Sequence, residues 1–528
     1  MKKSFSKENL HQFRTYFANI LLPCLVFGAI TGALSGAAVF GFLRLAGLMA
    51  WCFGKIWAVA SASPVGIALL FLGLIFASFV VAIVLHRCPT ARGGGIPTSV
   101  GYLRGVLSFS WLPTLICTVA SACVTYLCGI PLGTEGPSVQ IGTALARGVG
   151  KMAGDKNRAW DRYIMTAGSC AGFAAATFSP VTGIFFALEE AHRRFSPMIL
   201  MTAASGVTSS MIVTRALCSV FHVSTHFLHL PDHVIPPISS VWLAFLMGIG
   251  GALLATLYGF LYKALHELVK HRLARVPLFI RLAAVFVLVG IFGLLVPQVL
   301  GSGHSLVDLI FEEPYALGLG ALLLILLLRV ILILLANNAG VTGGVFIPTL
   351  TVCALYGVIA ARGCLALGVS EELCSFLTLL GMMSFFAGVN RIPITALVFS
   401  MEQLKGAEGI VFLCASVFTS YLVMELFRVP SFSDLVLENR ISEEPTEGEY
   451  INTKVTVTVM PHSFVIGKPI RDVLWPAGCR VLDVFPKNGG IFNDSINEGD
   501  QLRLRIRTAR GDSTEQELCA LIGEQDVL

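Results

Sequence analysis

From about residue 18 to residue 437 the chain is a succession of long apolar stretches cut by short polar or glycine-rich ones. Ile20 to Trp57 carries Gly28, Gly32, Gly36, Gly41 and Gly47, small residues at helical spacing that suit close packing of membrane helices. Val65 to Leu85 is about 20 residues of apolar chain, enough to cross a bilayer, and ends on a basic stop, His86 to Arg92. Further apolar runs follow at Leu115 to Leu132, Val139 to Gly150, Tyr163 to Leu188, Trp242 to Tyr262 and Leu282 to Leu300. Between them, Leu228 to Ser240 holds Pro231, Pro236 and Pro237 and reads as a connector between two halves. After Leu435 the chain turns acidic, with Glu438, Glu443, Glu444, Glu447 and Glu449, and reads as a linker. Lys454 to Val459 and Gln501 to Arg507 then alternate as half-buried strands do. The resulting division is a segment 1–17, membrane halves 18–230 and 231–437, a linker 438–453, and a small α+β module 454–528.

Composition sharpens this pattern. Of 528 residues 55% are hydrophobic and only 13% charged, far too apolar for a soluble globular chain, so the protein is a polytopic membrane protein. Its net charge is +5, and the basic residues gather in two regions. One holds Arg147, Lys151, Lys156, Arg158 and Arg162, the other Lys263, Lys270, Arg272, Arg275 and Arg281. They read as topology determinants on the cytosolic side and do not suggest nucleic-acid binding. No secretory cleavage site follows the polar N-terminus, which implies a cytosolic N-terminus. The 14 cysteines are scattered singly, so no metal and no cofactor is implied. No nucleophile with a base occurs in a plausible pocket, which argues against an enzyme.

Against that apolar background, one carboxylate stands out. Gly133-Thr134-Glu135-Gly136-Pro137-Ser138 sets Glu135 among helix-breaking residues inside a hydrophobic segment, where an ionisable group is a functional candidate. Its structural alternative is a carboxylate satisfied by local backbone amides. Gly93-Gly94-Gly95-Ile96-Pro97 is an anion-receptive helix start or a plain loop, and Gly344-Val345-Phe346-Ile347-Pro348 is a second glycine-rich, proline-ended start. An internal repeat links the halves. Pro180 and Pro393 are 213 positions apart and share Pro, Thr, Phe and Glu across eleven residues, while Pro137 and Pro348 are 211 apart. That second alignment puts Gly133 on Gly344 and Glu135 on Phe346. Broken helices at corresponding places of two halves point to a midplane binding site. Glu189 and Glu190 lie beside Arg193 and Arg194, where a surface ion pair is the alternative for either acid. His304 reads as a satisfied loop histidine.

Taken together and in this order, the three glycine-proline motifs resemble the signatures of the CLC family of chloride channels and chloride/proton antiporters over residues 20 to 437. The resemblance implies an all-α polytopic membrane protein of two inverted repeats with broken helices, assembled as a homodimer with one pore per subunit. It implies that an anion, chloride first, is held by helix N-terminal amides at Gly94, Gly95, Ile96, Gly136, Val345 and Phe346. Such helix starts carry about half a positive charge and need no buried cation. Glu135 then corresponds to the external gate and proton acceptor, and Glu190 to the internal proton-transfer glutamate. With both present, proton-coupled antiport is favoured over a passive anion channel or a non-transporting sensor. Glu189 and Glu402, at repeat-related places, read as structural.

Three positions depart from the family pattern. The usual serine falls on Gly94, the usual inner tyrosine on Phe432, and the usual basic residue before the gate on Thr134. Two hydroxyl donors to the anion are thereby missing, which leaves an anion other than chloride as an alternative substrate. The tail, Ser463 to Arg507, resembles a TrkA-C regulatory module, which implies a dimerising or ligand-sensing role, with a small-molecule effector, over an inert cap. The family context implies a multi-pass protein of a prokaryotic inner membrane with both termini cytosolic.

Overall fold

A computed structural model describes residues 17–154, 159–231, 233–273, 275–404, 409–443, 450–487, 492, 495–509 and 514–523. Before the connector come α1 (Leu22–Ala60), α2 (Pro64–Arg87), α3 (Ile96–Arg104), α4 (Trp111–Leu127), α5 (Glu135–Met152), α6 (Asp161–Thr177), α7 (Pro180–Phe185) and α8 (Pro197–Val220). After it come α9 (Val241–Arg272), α10 (Leu278–Leu295), α11 (His304–Glu312), α12 (Leu319–Ala339), α13 (Phe346–Ala366), α14 (Cys374–Asn390), α15 (Pro393–Leu404) and α16 (Ile410–Leu426). Long and short helices follow in a matching sequence on the two sides. The third member is nine residues in each half, and the turn before the seventh holds a left-handed residue in each, Phe178 and Arg391. This is the two-repeat, broken-helix architecture the motifs implied. Among the described residues, eight helices are long and apolar enough to cross a membrane.

Their outward faces are apolar, with Leu72, Phe76, Phe260 and Leu327 exposed, as side chains facing lipid tails are. Inward, small residues let backbones touch. A Cβ on Gly32 in α1 would come within 2.0 Å of the Gly206 carbonyl oxygen of α8, so this glycine sets how closely the two helices approach. One large charge lies inside. Arg329 of α12 is fully buried, and its guanidinium donates to the carbonyls of Gln298, Leu300, Gly301 and Ser302, which ties α12 to the turn between α10 and α11.

Helix α17 (Phe432–Glu443) extends into what reads as linker, and strand β1 (Tyr450–Thr458) starts before residue 454. Glu444, Glu447 and Glu449 lie outside the described residues, as do Lys156, Arg158 and residues 1–16. The two basic regions are also more helical than loop-like. Arg147 and Lys151 close α5, Arg162 opens α6, and Lys263, Lys270 and Arg272 sit in α9. Strands β1, β2 (Cys479–Phe485) and β3 (Gln501–Ala509) form an antiparallel sheet in the order β1-β3-β2, packed with α18 (Thr514–Ile522). Along β3, Leu502, Leu504 and Ile506 are buried and the intervening polar residues exposed, the alternation visible in the sequence.

This module rests on the membrane body through the start of α6. Arg162 donates to the carbonyls of Leu474 (3.1 Å) and Trp475 (2.7 Å) and also to that of Leu103 at the end of α3. The Tyr163 hydroxyl donates to the Asp472 carbonyl and accepts from the Leu474 amide. Trp160 meets Phe464 edge-on at 5.1 Å. Lys468 is buried here, its ammonium 3.7 Å from the centre of the Phe464 ring. Burial holds that ammonium down to about 8 from an ordinary 10.5.

Candidate functional site

Three helix starts meet inside the body, and glycine is what lets them. Gly133 and Gly344 exchange two backbone hydrogen bonds of 2.7 Å, an antiparallel bridge joining the start of α5 to the start of α13 at repeat-related residues. Gly93, before α3, accepts from the Gly343 amide at 3.3 Å and donates to the Gly340 carbonyl at 3.2 Å. A Cβ on Gly136 would come within 1.9 Å of the Gly94 carbonyl oxygen, so no other residue fits that position without moving the backbone. Thr342 fastens the junction by donating to the Ala91 carbonyl at 2.7 Å and accepting from Ser121 at 2.8 Å.

Glu135 is the first residue of α5 and is completely buried in this junction. Its Oε1 accepts from the Thr134 hydroxyl at 3.2 Å, whereas Oε2 has no hydrogen-bond partner among the described residues. A Cβ on Gly133 would meet both Glu135 Oε2, at 2.3 Å, and Pro348 Cδ, at 3.2 Å, so the carboxylate lies alongside the first turn of α13. Gly136 is the second residue of α5, Gly95 the cap and Ile96 the first residue of α3, and Val345 the cap and Phe346 the first residue of α13. The junction therefore gathers Glu135, Gly94, Gly95, Ile96, Gly136, Val345 and Phe346 in one place. Chemically, it turns the positive ends of helices toward a negative charge and supplies one carboxylate among them, while the Ile96 amide is spent on the Gly94 carbonyl at 2.9 Å.

Glu190 lies elsewhere. It sits in a π-helical segment, Phe186–Ala191, and is nearly buried, with Oε1 accepting from the Ser433 hydroxyl at 2.6 Å. Basic groups surround it: Arg104 donates to the Glu190 and Ala191 carbonyls and to Asp434 at 3.0 Å, and Arg193 pairs with Asp434 at 2.5 Å. Between the two glutamates runs an aromatic path, since Phe346 meets Phe173 at 5.2 Å and Phe173 stacks on Phe186 at 5.2 Å. Glu189 and Glu402 do something different. Glu189 accepts from the amides of Ile394 (3.0 Å) and Thr395 (2.7 Å) and the Thr395 hydroxyl (2.6 Å), capping the start of α15. Glu402 accepts from the amides of Val181 (2.7 Å) and Thr182 (2.9 Å) and the Thr182 hydroxyl (2.5 Å), capping α7. Each repeat thus caps the other, which is the structural part the sequence suggested for this pair. His304 opens α11, its Nδ1 2.9 Å from the Ser302 hydroxyl and its ring against Phe227.

Phe432, the first residue of α17, is buried with its ring 4.9 Å from Tyr262 and 5.4 Å from Tyr258. Tyr262 in turn lines a cavity of about 340 Å³ that also borders Arg92, Arg281, Arg440 and Asn337. Sequence reading passed over Ser433 and Asn337. Ser433 follows Phe432 directly and was visible as the polar neighbour of a site residue, but nothing in the order of residues brings Asn337 next to Gly94. Among the described residues, no group of three His, Cys, Asp or Glu is placed to hold a metal.

The fold and this junction define a helical membrane protein of two repeats whose broken helices meet around a buried carboxylate. The chain belongs to the voltage gated chloride channel family, which matches residues 76–425. A relative in Vibrio cholerae, the H(+)/Cl(-) exchange transporter ClcA, is 29% identical over 334 residues, covering 62% of this chain and 70% of its own. The protein of the same description in Vibrio parahaemolyticus is 27% identical over 72% of this chain and 81% of its own. Among solved structures, a slow cyanobacterial Cl-/H+ antiporter superposes with a TM-score of 0.70 at 22% identity, over 80% of this chain and 98% of its own. A CLC-type fluoride/proton antiporter superposes with a TM-score of 0.60 at 18% identity, over 77% of this chain and 96% of its own.

Proposed function

We propose that this protein exchanges an inorganic anion, chloride first, for a proton across the membrane. The observation that carries this reading is the fully buried Glu135 carboxylate, one oxygen unpartnered, at the meeting of three helix starts. Ionised, that carboxylate competes with an anion for the same amides; protonated, it leaves them to the anion and carries a proton. One residue then couples the two ions. Glu190, held by Ser433 beside a basic edge, delivers or receives that proton from the side on which the C-terminal module docks. The named activities of the relatives accord with this exchange.

The same reading extends to orientation and assembly. Arg104, Arg162 and Arg193 gather toward the module, so that side is cytosolic by the positive-inside rule and both termini lie there, in a prokaryotic inner membrane. The protein works as a homodimer with one anion route per subunit, and the module acts as a TrkA-C-like sensor of a small molecule. A second substrate reading, an anion other than chloride, is favoured by Gly94 and Phe432, which bring no hydroxyl to the site.

Purified protein in liposomes, given a chloride gradient and then a panel of other anions with simultaneous pH recording, tests exchange and substrate together. Uphill proton movement driven by chloride is expected. Anion flux that ignores the pH gradient would make the protein a passive channel, and absence of any flux would remove transport altogether.

A further inference from the structure

Gly94 differs from the other glycines of the junction. A Cβ on Gly95 would come within 2.3 Å of the Gly136 carbonyl oxygen, and one on Gly136 within 1.9 Å of the Gly94 carbonyl oxygen, so backbone contact demands glycine at both. At Gly94 the nearest atoms a Cβ would meet are Asn337 Nδ2 at 3.5 Å, Val345 Cγ2 at 3.6 Å and Pro97 Cδ at 3.7 Å, all ordinary contacts. Room for a Cβ therefore exists at residue 94. What borders that room is a carboxamide nitrogen.

Asn337, near the end of α12, is 7% exposed, and its Nδ2 has no hydrogen-bond partner among the described residues. A buried donor without an acceptor is costly, so Nδ2 is placed to receive one. The repeat-related residue makes the contrast plain. Tyr126, 211 positions earlier, spends its hydroxyl on the Gly133 carbonyl at 2.7 Å, and the positive-φ glycines Gly129 and Gly340 follow each of the two by three residues. Asn337 makes no equivalent bond. It also lines the 340 Å³ cavity, where Arg281 Nε is likewise without a hydrogen-bond partner among the described residues, so an anion entering from that side meets Asn337 on its way to the helix starts.

We propose that Asn337 is a specificity-determining ligand of the transported anion: its side-chain N–H donates to the anion held at the starts of α3 and α13, from beside the place where a residue-94 hydroxyl would stand. This rests on the anion-exchange reading above. The ligand class is a small inorganic anion, a halide or a compact oxyanion, because the carboxamide offers two N–H donors and no charge. Gly94 and Asn337 form a pair: the donor has moved from α3 to α12, and the glycine keeps its path clear.

The test uses the full-length protein, with chloride binding by calorimetry in detergent and flux of chloride, bromide and nitrate in liposomes. Asn337→Ala is expected to weaken chloride binding by about tenfold or more, the loss of one hydrogen bond to an ion, and to change the order of anions carried. Gly94→Ser added to Asn337→Ala is expected to recover most of that affinity. The inference is overturned if Asn337→Ala binds chloride as the unaltered protein does, or if affinity falls and Gly94→Ser restores none of it. Asn337→Ser, alone and with Gly94→Ser, carries the same comparison should the alanine variant fail to fold. Failure of the broader reading looks different: the unaltered protein itself then moves no anion.

Discussion

The two repeats share a frame and differ at a few positions, and those differences separate scaffold from chemistry. Glu189 in the first repeat and Glu402 in the second stand 213 positions apart and perform the same task, each capping a helix start of the other half with three hydrogen bonds. Gly133 and Gly344 likewise mirror one another across a backbone bridge. At the neighbouring positions the symmetry fails. Glu135 faces Phe346, a carboxylate against a phenyl ring, and Glu190 corresponds to Gln403, whose amide donates to Ser179 at 2.8 Å. Where both repeats keep an acid, it holds helices together. Where only one does, the acid accepts from a hydroxyl, Thr134 for Glu135 and Ser433 for Glu190.

That division can be broken first at the asymmetric acids. Glu135→Gln is expected to reduce proton movement by about 100-fold or more while anion flux persists, since Glu135 is the carboxylate buried at the helix starts and the amide that replaces it carries no titratable proton. Glu190→Gln should do the same with Glu135 in place. Persistent proton coupling in either variant, recorded as pH change under a chloride gradient, would remove that glutamate from the proton route.

The symmetric acids sharpen the comparison from the other side. Glu189→Gln and Glu402→Gln each weaken a charge-assisted cap, so each is expected to lower stability by about 2–3 kcal/mol, and by similar amounts, while the ratio of anions to protons stays unchanged. Thermal unfolding in detergent together with the liposome assay reads both. A change in that ratio would make these caps part of the transport chemistry.

The smallest effect is expected at the docked module. Because folding lowers the Lys468 ammonium to about 8 from an ordinary 10.5, the unfolded chain binds more protons between those values, and module docking strengthens as pH rises through that window. Below pH 8 the burial penalty is fully present. Lys468→Met is therefore expected to stabilise the module at pH 7 by on the order of 1–2 kcal/mol, a burial cost of roughly 3 kcal/mol less the contact with the Phe464 ring, and to give no gain at pH 11. A stability gain that does not fade at high pH would mean that packing, and not charge, is responsible.

Much of this was legible in the residues themselves. Hydrophobic runs of bilayer length mark the spans because lipid offers no partner to a polar backbone, and glycine-proline motifs mark the broken helices because those residues end or start helices wherever they occur. An offset of 211 to 213 positions is a one-dimensional property, so the repeat and the odd acid Glu135 could be found without coordinates. Element ends were less legible: α17 runs through acidic residues as far as Glu443, because exposed charge does not by itself stop a helix.

Tertiary structure alone decided which distant groups meet. That Glu189 caps α15 and Glu402 caps α7 follows from the crossing of two halves, a relation between residues more than 200 positions apart. That the module is held by Arg162 through the Leu474 and Trp475 carbonyls involves backbone atoms, which every residue type carries alike. The partner of Gly94 belongs to the same class. A missing hydroxyl can be read from the motif, but the buried amide of Asn337 beside it arises only when the end of α12 is folded against the turn before α3, because hydrogen bonds reach about 3 Å through space and the chain between them is more than 240 residues long.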